Sequence, residues 1–206
     1  MSVAIIDYGS GNLRSVAKAF ERVGGHDIEV TDSPDRLVTA THIILPGVGA
    51  FADCMHGLQS LPGVLPALEQ QVLKNKKPFL GICVGMQMLF EKGHEHGVHG
   101  GLGWLRGEVI ALTLKDTSLK IPHTGWNDLH IARDHSLLKN IHTGDHTYFV
   151  HSYHAVCSDT SNVLATVDYG QKLTAVVGQG NIMGTQFHPE KSQETGLAII
   201  KNFLSM

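Results

Sequence analysis

A chain of 206 residues suits one medium-sized domain, long enough to bury a full core without disulfide or metal staples. Its 23 glycines and 7 prolines fall short of a low-complexity composition, and a net charge of −3 leaves no electrostatic footprint for nucleic acid. No apolar run approaches the ~20 residues of a transmembrane helix, and Met1 to Asp7 has no basic segment of a secretory leader, so the chain reads as soluble and cytoplasmic.

Val3–Asp7 is a short apolar strand ending in the turn Tyr8-Gly9-Ser10-Gly11. Asn12 stands where it can cap a helix to about Val23, with Leu13, Val16, Phe20 and Val23 on one stripe and Gly24-Gly25 closing it. Gly9-Ser10-Gly11 between strand and helix resembles a dinucleotide fingerprint, with Glu29 near the place of a ribose-binding acid. Arg14 occupies the third glycine position, however, where a bulky cation obstructs helix–strand packing, so cofactor binding is set aside.

Asp27–Thr31 alternates like a strand, and Asp32-Ser33-Pro34 opens a short helix. His42–Leu45 is a buried strand running into Pro46-Gly47-Val48-Gly49. Ala50–Leu58 and Val64–Lys74 read as helices separated by Leu61-Pro62-Gly63. Pro78–Ile82 is another apolar strand, and Val84–Phe90 reads as a helix. Alternation at this spacing predicts βαβ units and a mostly parallel, helix-covered sheet.

Gly81-Ile82-Cys83-Val84-Gly85 is the strongest local feature. A strand ends, one nucleophile-type residue follows and a helix begins, which is the strand–nucleophile–helix elbow with Cys in place of Ser. The helix N-terminus favours a thiolate, and the Val84 N–H is placed to face an oxyanion. Cys54, Cys83 and Cys157 are too few and too scattered for a disulfide framework or a zinc pair.

Gly93–Gly103 is a Gly/His loop. His94-Glu95-His96-Gly97-Val98-His99 offers metal-ligand types, but no helix fixes their spacing, and a solvated polar loop is the simpler reading. Strand-like runs follow at Glu108–Leu114, Thr147–Val156, Val163–Val167, Leu173–Val177 and Asn181–Phe187, then an amphipathic helix after Ser192 with Leu197, Ile200, Phe203 and Leu204 inward. With no repeat or linker, residues 1–206 read as a single domain. Among 14 histidines, His188 is the candidate base for Cys83, because it directly follows a strand and Pro189 stiffens the exit. Glu190 is placed to accept the other ring N–H and set the tautomer.

Gly81-Ile82-Cys83-Val84-Gly85-Met86-Gln87 together with Gln186-Phe187-His188-Pro189-Glu190 resembles the class I (triad) glutamine amidotransferases. The segments from Asp7 to Val16, Leu45 to Phe51, Pro122 to Asn127 and Tyr148 to Tyr153 narrow the resemblance to one branch, the glutaminase subunits of imidazole glycerol phosphate synthases. Val84 and Ser152 depart from a commoner Leu and Thr. The resemblance implies a three-layer, flavodoxin-like α/β fold with a strand-rich second half. It implies hydrolysis of L-glutamine to glutamate and ammonia by a Cys83–His188–Glu190 triad. The ammonia then passes to a cyclase subunit that makes imidazole glycerol phosphate and an aminoimidazole carboxamide ribotide in histidine biosynthesis.

Val48 and Val84 match the oxyanion donors of these proteins, and Gly49, Gln87, Glu95, Ser152 and Tyr153 match the positions that hold glutamine. Glu95 thereby becomes an acceptor for the substrate's α-amino group. Asn12, Trp126, Tyr148 and Lys191 match the face that meets the cyclase, a (β/α)₈ barrel, in a heterodimer. No metal or organic cofactor is expected. Two other readings stand beside this one: a Cys-elbow protease or stress protein of flavodoxin-like architecture, and a non-enzymatic His-rich metal-binding module.

Overall fold

The computed structural model describes residues 1–116 and 118–206. The first half alternates strands and helices: β1 (Val3–Ile6), α1 (Leu13–Arg22), β2 (Ile28–Thr31), α2 (Pro34–Thr39), β3 (His42–Gly47), α3 (Phe51–Ser60), α4 (Val64–Glu69), β4 (Phe79–Cys83) and α5 (Val84–Gln87). The second half is strand-rich: β5 (Phe90–Gly93), β6 (His99–Gly100), β7 (Leu105–Ala111), β8 (His123–Ile131), β9 (His146–His151), β10 (Tyr153–Cys157), β11 (Val163–Asp168), β12 (Lys172–Gln179) and β13 (Ile182–Thr185), closed by α6 (Gln193–Leu204).

A nine-stranded sheet in the order β2-β1-β3-β4-β13-β12-β11-β8-β9 forms the frame. Pairing is parallel from β2 through β4 to β13 and antiparallel from β13 to β9. Every residue of β1, β3 and β4 is buried, as their unbroken apolar runs require when helices cover both faces. On those faces α1 packs with α6, and α4 with α2 and α3. A smaller sheet, β10-β7-β5-β6, lies beside the large one.

The parallel, helix-covered first half is as expected, and four local features differ. Helix after Cys83 stops at Gln87 instead of continuing to Phe90. The carbonyls of Met88, Leu89 and Phe90 are taken by the N–H groups of Leu102, Trp104, Leu105 and Gly103, so pairing outcompetes a further helical turn. β8, whose residues alternate poorly, forms because β11 and β9 pair with it on both sides. The run Thr147–Val156 is two strands broken at Ser152, whose carbonyl bonds to Leu112 N–H as the chain crosses between sheets. The Asn12 side chain makes no cap bond to α1.

The elbow is fixed by close backbone approach. A Cβ on Gly85 would lie 1.8 Å from the Leu45 carbonyl oxygen, and one on Gly81 would lie 2.5 Å from the Gly85 oxygen. Gly85→Ala therefore pushes the nucleophile turn off β3. The expected cost is at least ~1–3 kcal/mol of overpacking, read as a lower urea midpoint; an unchanged midpoint would show the elbow to be slack.

Candidate active site

Cys83 ends β4 with φ +55° and ψ −112°, a region that non-glycine residues enter only when their surroundings impose it. The strain turns a single side chain out between strand and helix at the carboxyl end of the parallel strands. The Cys83 thiol is directed at the Val150 carbonyl, 4.0 Å away.

His188 follows β13 and is pinned through its backbone. Its N–H donates to the Tyr148 carbonyl (3.0 Å), and its own carbonyl accepts from the Ser192 hydroxyl (2.6 Å). The ring Nδ1 lies 2.8 Å from Glu190 Oε1, with both side chains almost wholly buried. A carboxylate can only accept, so the proton sits on Nδ1 and Nε2 is left for chemistry. Nε2 makes no well-aligned hydrogen bond to any described residue. Burial alone would push the His188 pKa down; the nearby Cys83 sulfur and the hydrogen-bonded Glu190 carboxylate overcome it and raise the pKa to about 9.

Cys83, Val84 and His188 open into a cavity of about 280 Å³, which Val48, Gly49, Gln87, Glu95, Ser152 and Tyr153 also line. The structure thus gathers in one pocket every residue expected at the oxyanion and glutamine positions. Two are engaged in ways the sequence did not indicate. Glu95 Oε2 accepts from the Phe51 N–H (2.8 Å), so this carboxylate also caps α3 from 44 positions away. The Val48 N–H donates to Ser10 Oγ (3.3 Å), while the Val48 carbonyl accepts from the Ser10 hydroxyl and from the Cys54 thiol (3.5 Å).

Around the pocket runs a buried polar chain. Asn127 Nδ2 lies 3.2 Å from His123 Nε2, His123 Nδ1 lies 3.0 Å from His151 Nε2, and His151 Nδ1 lies 2.9 Å from the Tyr153 carbonyl. Burial lowers the pKa of His123 to about 4 and of His151 to about 3, so both rings are neutral near pH 7 and each nitrogen has a set role. Sequence reasoning gave His123 and His151 no role, since nothing local separates them from the other histidines.

The Gly9–Gly11 turn is no nucleotide cradle. Gly11 packs on Pro46 of β3, and Glu29 is held by Arg36 at 3.0 Å. His94 pairs with Glu108 at 2.7 Å, and among the described residues no group of three or more His, Cys, Asp or Glu is arranged to hold a metal. Trp126 and Tyr148 pair edge to face at 5.9 Å, with Lys191 Nζ 5.8 Å from the Tyr148 centroid, so these three share one surface beside β9, the edge strand of the large sheet. Asn12 lies in the turn preceding α1. Among the described residues, no helix is long and apolar enough to cross a membrane.

A strained Cys at a β–α elbow thus shares one pocket with a buried His–Glu pair at the carboxyl end of the parallel strands. The class-I glutamine amidotransferase family model matches residues 4–206, so the chain belongs to that family. Among its relatives are the imidazole glycerol phosphate synthase subunits HisH of Brucella abortus and Agrobacterium fabrum. They are 53% and 54% identical over 212 residues, spanning 99% of this chain and 98% of each relative. Solved structures agree in fold: a crystal structure of a glutamine amidotransferase (TM-score 0.76, 19% identity, 100% of this chain and 98% of that one) and PurLQS of Thermotoga maritima (TM-score 0.65, 23% identity, 99% and 97%).

Proposed function

We propose that this chain hydrolyses L-glutamine to L-glutamate and ammonia and hands the ammonia to a (β/α)₈-barrel cyclase subunit, its partner in a heterodimeric imidazole glycerol phosphate synthase. The observation that carries the reading is the buried Glu190–His188 pair at 2.8 Å beside the strained Cys83.

Cys83 attacks the γ-carboxamide carbon as thiolate, and the carbonyl electron pair moves onto oxygen. The N–H groups of Val84 and Val48 receive that oxyanion. His188 gives its Nε2 proton to the departing nitrogen, the C–N bond breaks, and ammonia leaves a γ-glutamyl thioester. His188, now neutral, takes a proton from water as the water attacks. The second tetrahedral intermediate expels the Cys83 thiolate with glutamate. Glu190 holds the imidazole in register throughout. Glu95 remains available through Oε1 for the substrate's ammonium group. Trp126, Tyr148, Lys191 and Asn12 face the partner, where an aromatic–cation surface suits a protein contact.

The oxyanion hole supports a gate. With its N–H on Ser10, Val48 offers a substrate oxygen no donor until the peptide joining Gly47 and Val48 turns. That peptide turns about ψ of Gly47 and φ of Val48, and Gly47, with no Cβ, meets the least steric resistance. A Cβ on Gly47 would meet Gly85 N and Tyr8 Oη at 2.7 Å, so Gly47→Ala would disturb this segment. A missing donor of this kind is worth ~10²–10³ in rate.

Glutamine turnover is expected to rise by that order from the isolated chain to the complex holding its ribonucleotide. Equal rates for chain, complex and ligand-bound complex would remove the gate. Ser10→Ala releases the Val48 N–H and is expected to raise turnover of the isolated chain by up to ~10-fold, the scale of one neutral hydrogen bond. No rise would mean that Ser10 does not hold the gate.

A further inference from the structure

Gln186 precedes Phe187-His188, is fully buried, and takes no part in the triad. Its backbone N–H donates to the Ala175 carbonyl on β12 (2.8 Å), which fixes where the side chain starts. The direction of its amide is fixed from the other end. The Tyr153 carbonyl can only accept, and it takes an N–H from Gln87 Nε2 at 3.0 Å. Gln87 Nε2 donates its second hydrogen to Gln186 Oε1 at 3.1 Å. With its oxygen so engaged, Gln186 must turn its NH₂ group the other way, and Nε2 lies 3.8 Å from Cys83 Sγ. Flipping the Gln186 amide would set two NH₂ groups against each other and leave the sulfur facing an oxygen. His151, itself oriented by His123, donates to the same Tyr153 carbonyl at 2.9 Å and holds that anchor still.

We infer that Gln186 is a second donor to the Cys83 sulfur, set in direction by Gln87 and the Tyr153 carbonyl, and that it stabilises the thiolate in glutamine hydrolysis. The inference rests on the glutaminase reading above. A neutral N–H against sulfur favours the charged form and cannot be consumed by the reaction. His188 differs here, because its proton leaves with ammonia. When the thioester later breaks and the electron pair returns to sulfur, the Gln186 N–H is still in place to receive it. Gln87 is correspondingly a positioning residue as well as part of the pocket wall. Both of its N–H groups are spent, so only its Oε1 remains for substrate.

The test reads the sulfur directly. In the full-length chain, the rate at which iodoacetamide alkylates Cys83 is followed against pH, with Cys83 resolved from Cys54 and Cys157 by peptide mass spectrometry. The other titratable groups around the sulfur are His188 with Glu190 behind it, His151 and Glu95 in the pocket, and Tyr8 and Cys54 on the β3 side; all are kept in every variant. Gln186→Met keeps the volume and removes the donor. It is expected to slow Cys83 alkylation at pH 6.5 by about 3–10-fold and to move the midpoint to higher pH. Gln186→Glu keeps the acceptor that Gln87 needs and sets a carboxylate beside the sulfur, so its midpoint is expected to move further in the same direction. In the complex, kcat for glutamine falls with KM little changed. Unchanged alkylation midpoints in both variants overturn the inference. Absence of glutamine turnover by the wild-type complex overturns the glutaminase reading instead, and the alkylation profile separates the two.

Discussion

Replacing Cys83 with alanine is expected to abolish glutamine hydrolysis while fold and partner binding persist. Without the sulfur there is no thioester, and the remaining groups can only hold the substrate. The expected loss is on the order of 10⁶-fold, the scale on which a serine hydrolase responds to loss of its nucleophile. Supplied ammonia still drives the synthase reaction, because that chemistry lies on the cyclase subunit. Glutamine turnover by Cys83→Ala near the wild-type rate would end the triad assignment. Cys157→Ser is the neutral control, its thiol held protonated by burial with a pKa of about 11. Cys54→Ser is likewise expected to be near-neutral, because a serine hydroxyl can still donate to the Val48 carbonyl that the Cys54 thiol reaches at 3.5 Å.

His188→Asn is expected to cost ~10²–10⁴-fold in kcat/KM, since the proposed mechanism routes proton transfer in both halves of the reaction through Nε2. Glu190→Gln costs less, because the amide oxygen still accepts from Nδ1–H. A Glu190→Gln variant slower than His188→Asn would reverse the roles. The pH profile carries a second signature. Against its burial, the nearby Cys83 sulfur and the Glu190 carboxylate raise the His188 pKa to about 9, so the imidazolium that protonates the departing nitrogen persists to about that pH. The alkaline limb of kcat/KM is therefore expected near pH 9 in the wild type. Removing the Glu190 charge takes away one stabiliser of the imidazolium, so the limb moves to lower pH in Glu190→Gln. The sign for stability is the same. A raised folded-state pKa contributes stability that is full below the unfolded value near 6.5 and is lost as pH rises through about 9.

The sequence by itself determined the parts of this protein whose physics is local. Unbroken apolar runs at Val3–Ile6, His42–Leu45 and Phe79–Ile82 admit only strands buried on both faces, and the helices between them follow from 3.6-residue periodicity. Gly81 and Gly85 around Cys83 announce a turn too tight for side chains. Pro189 and Glu190 mark His188 within one short segment, so the His188–Glu190 pair is legible in the sequence. Only the tertiary structure decided the rest, because those features depend on which distant backbone supplies a partner. The helix after Cys83 ends at Gln87 because residues 102–105 claim its next carbonyls. β8 exists because neighbours on both sides pair with it. Glu95 caps α3, Ser10 holds Val48, and Gln186 turns its NH₂ toward Cys83 because a carbonyl on β10 fixes Gln87. Hydrogen-bond direction is set by partners 38 to 103 positions apart in the chain, a distance over which composition and periodicity carry no information.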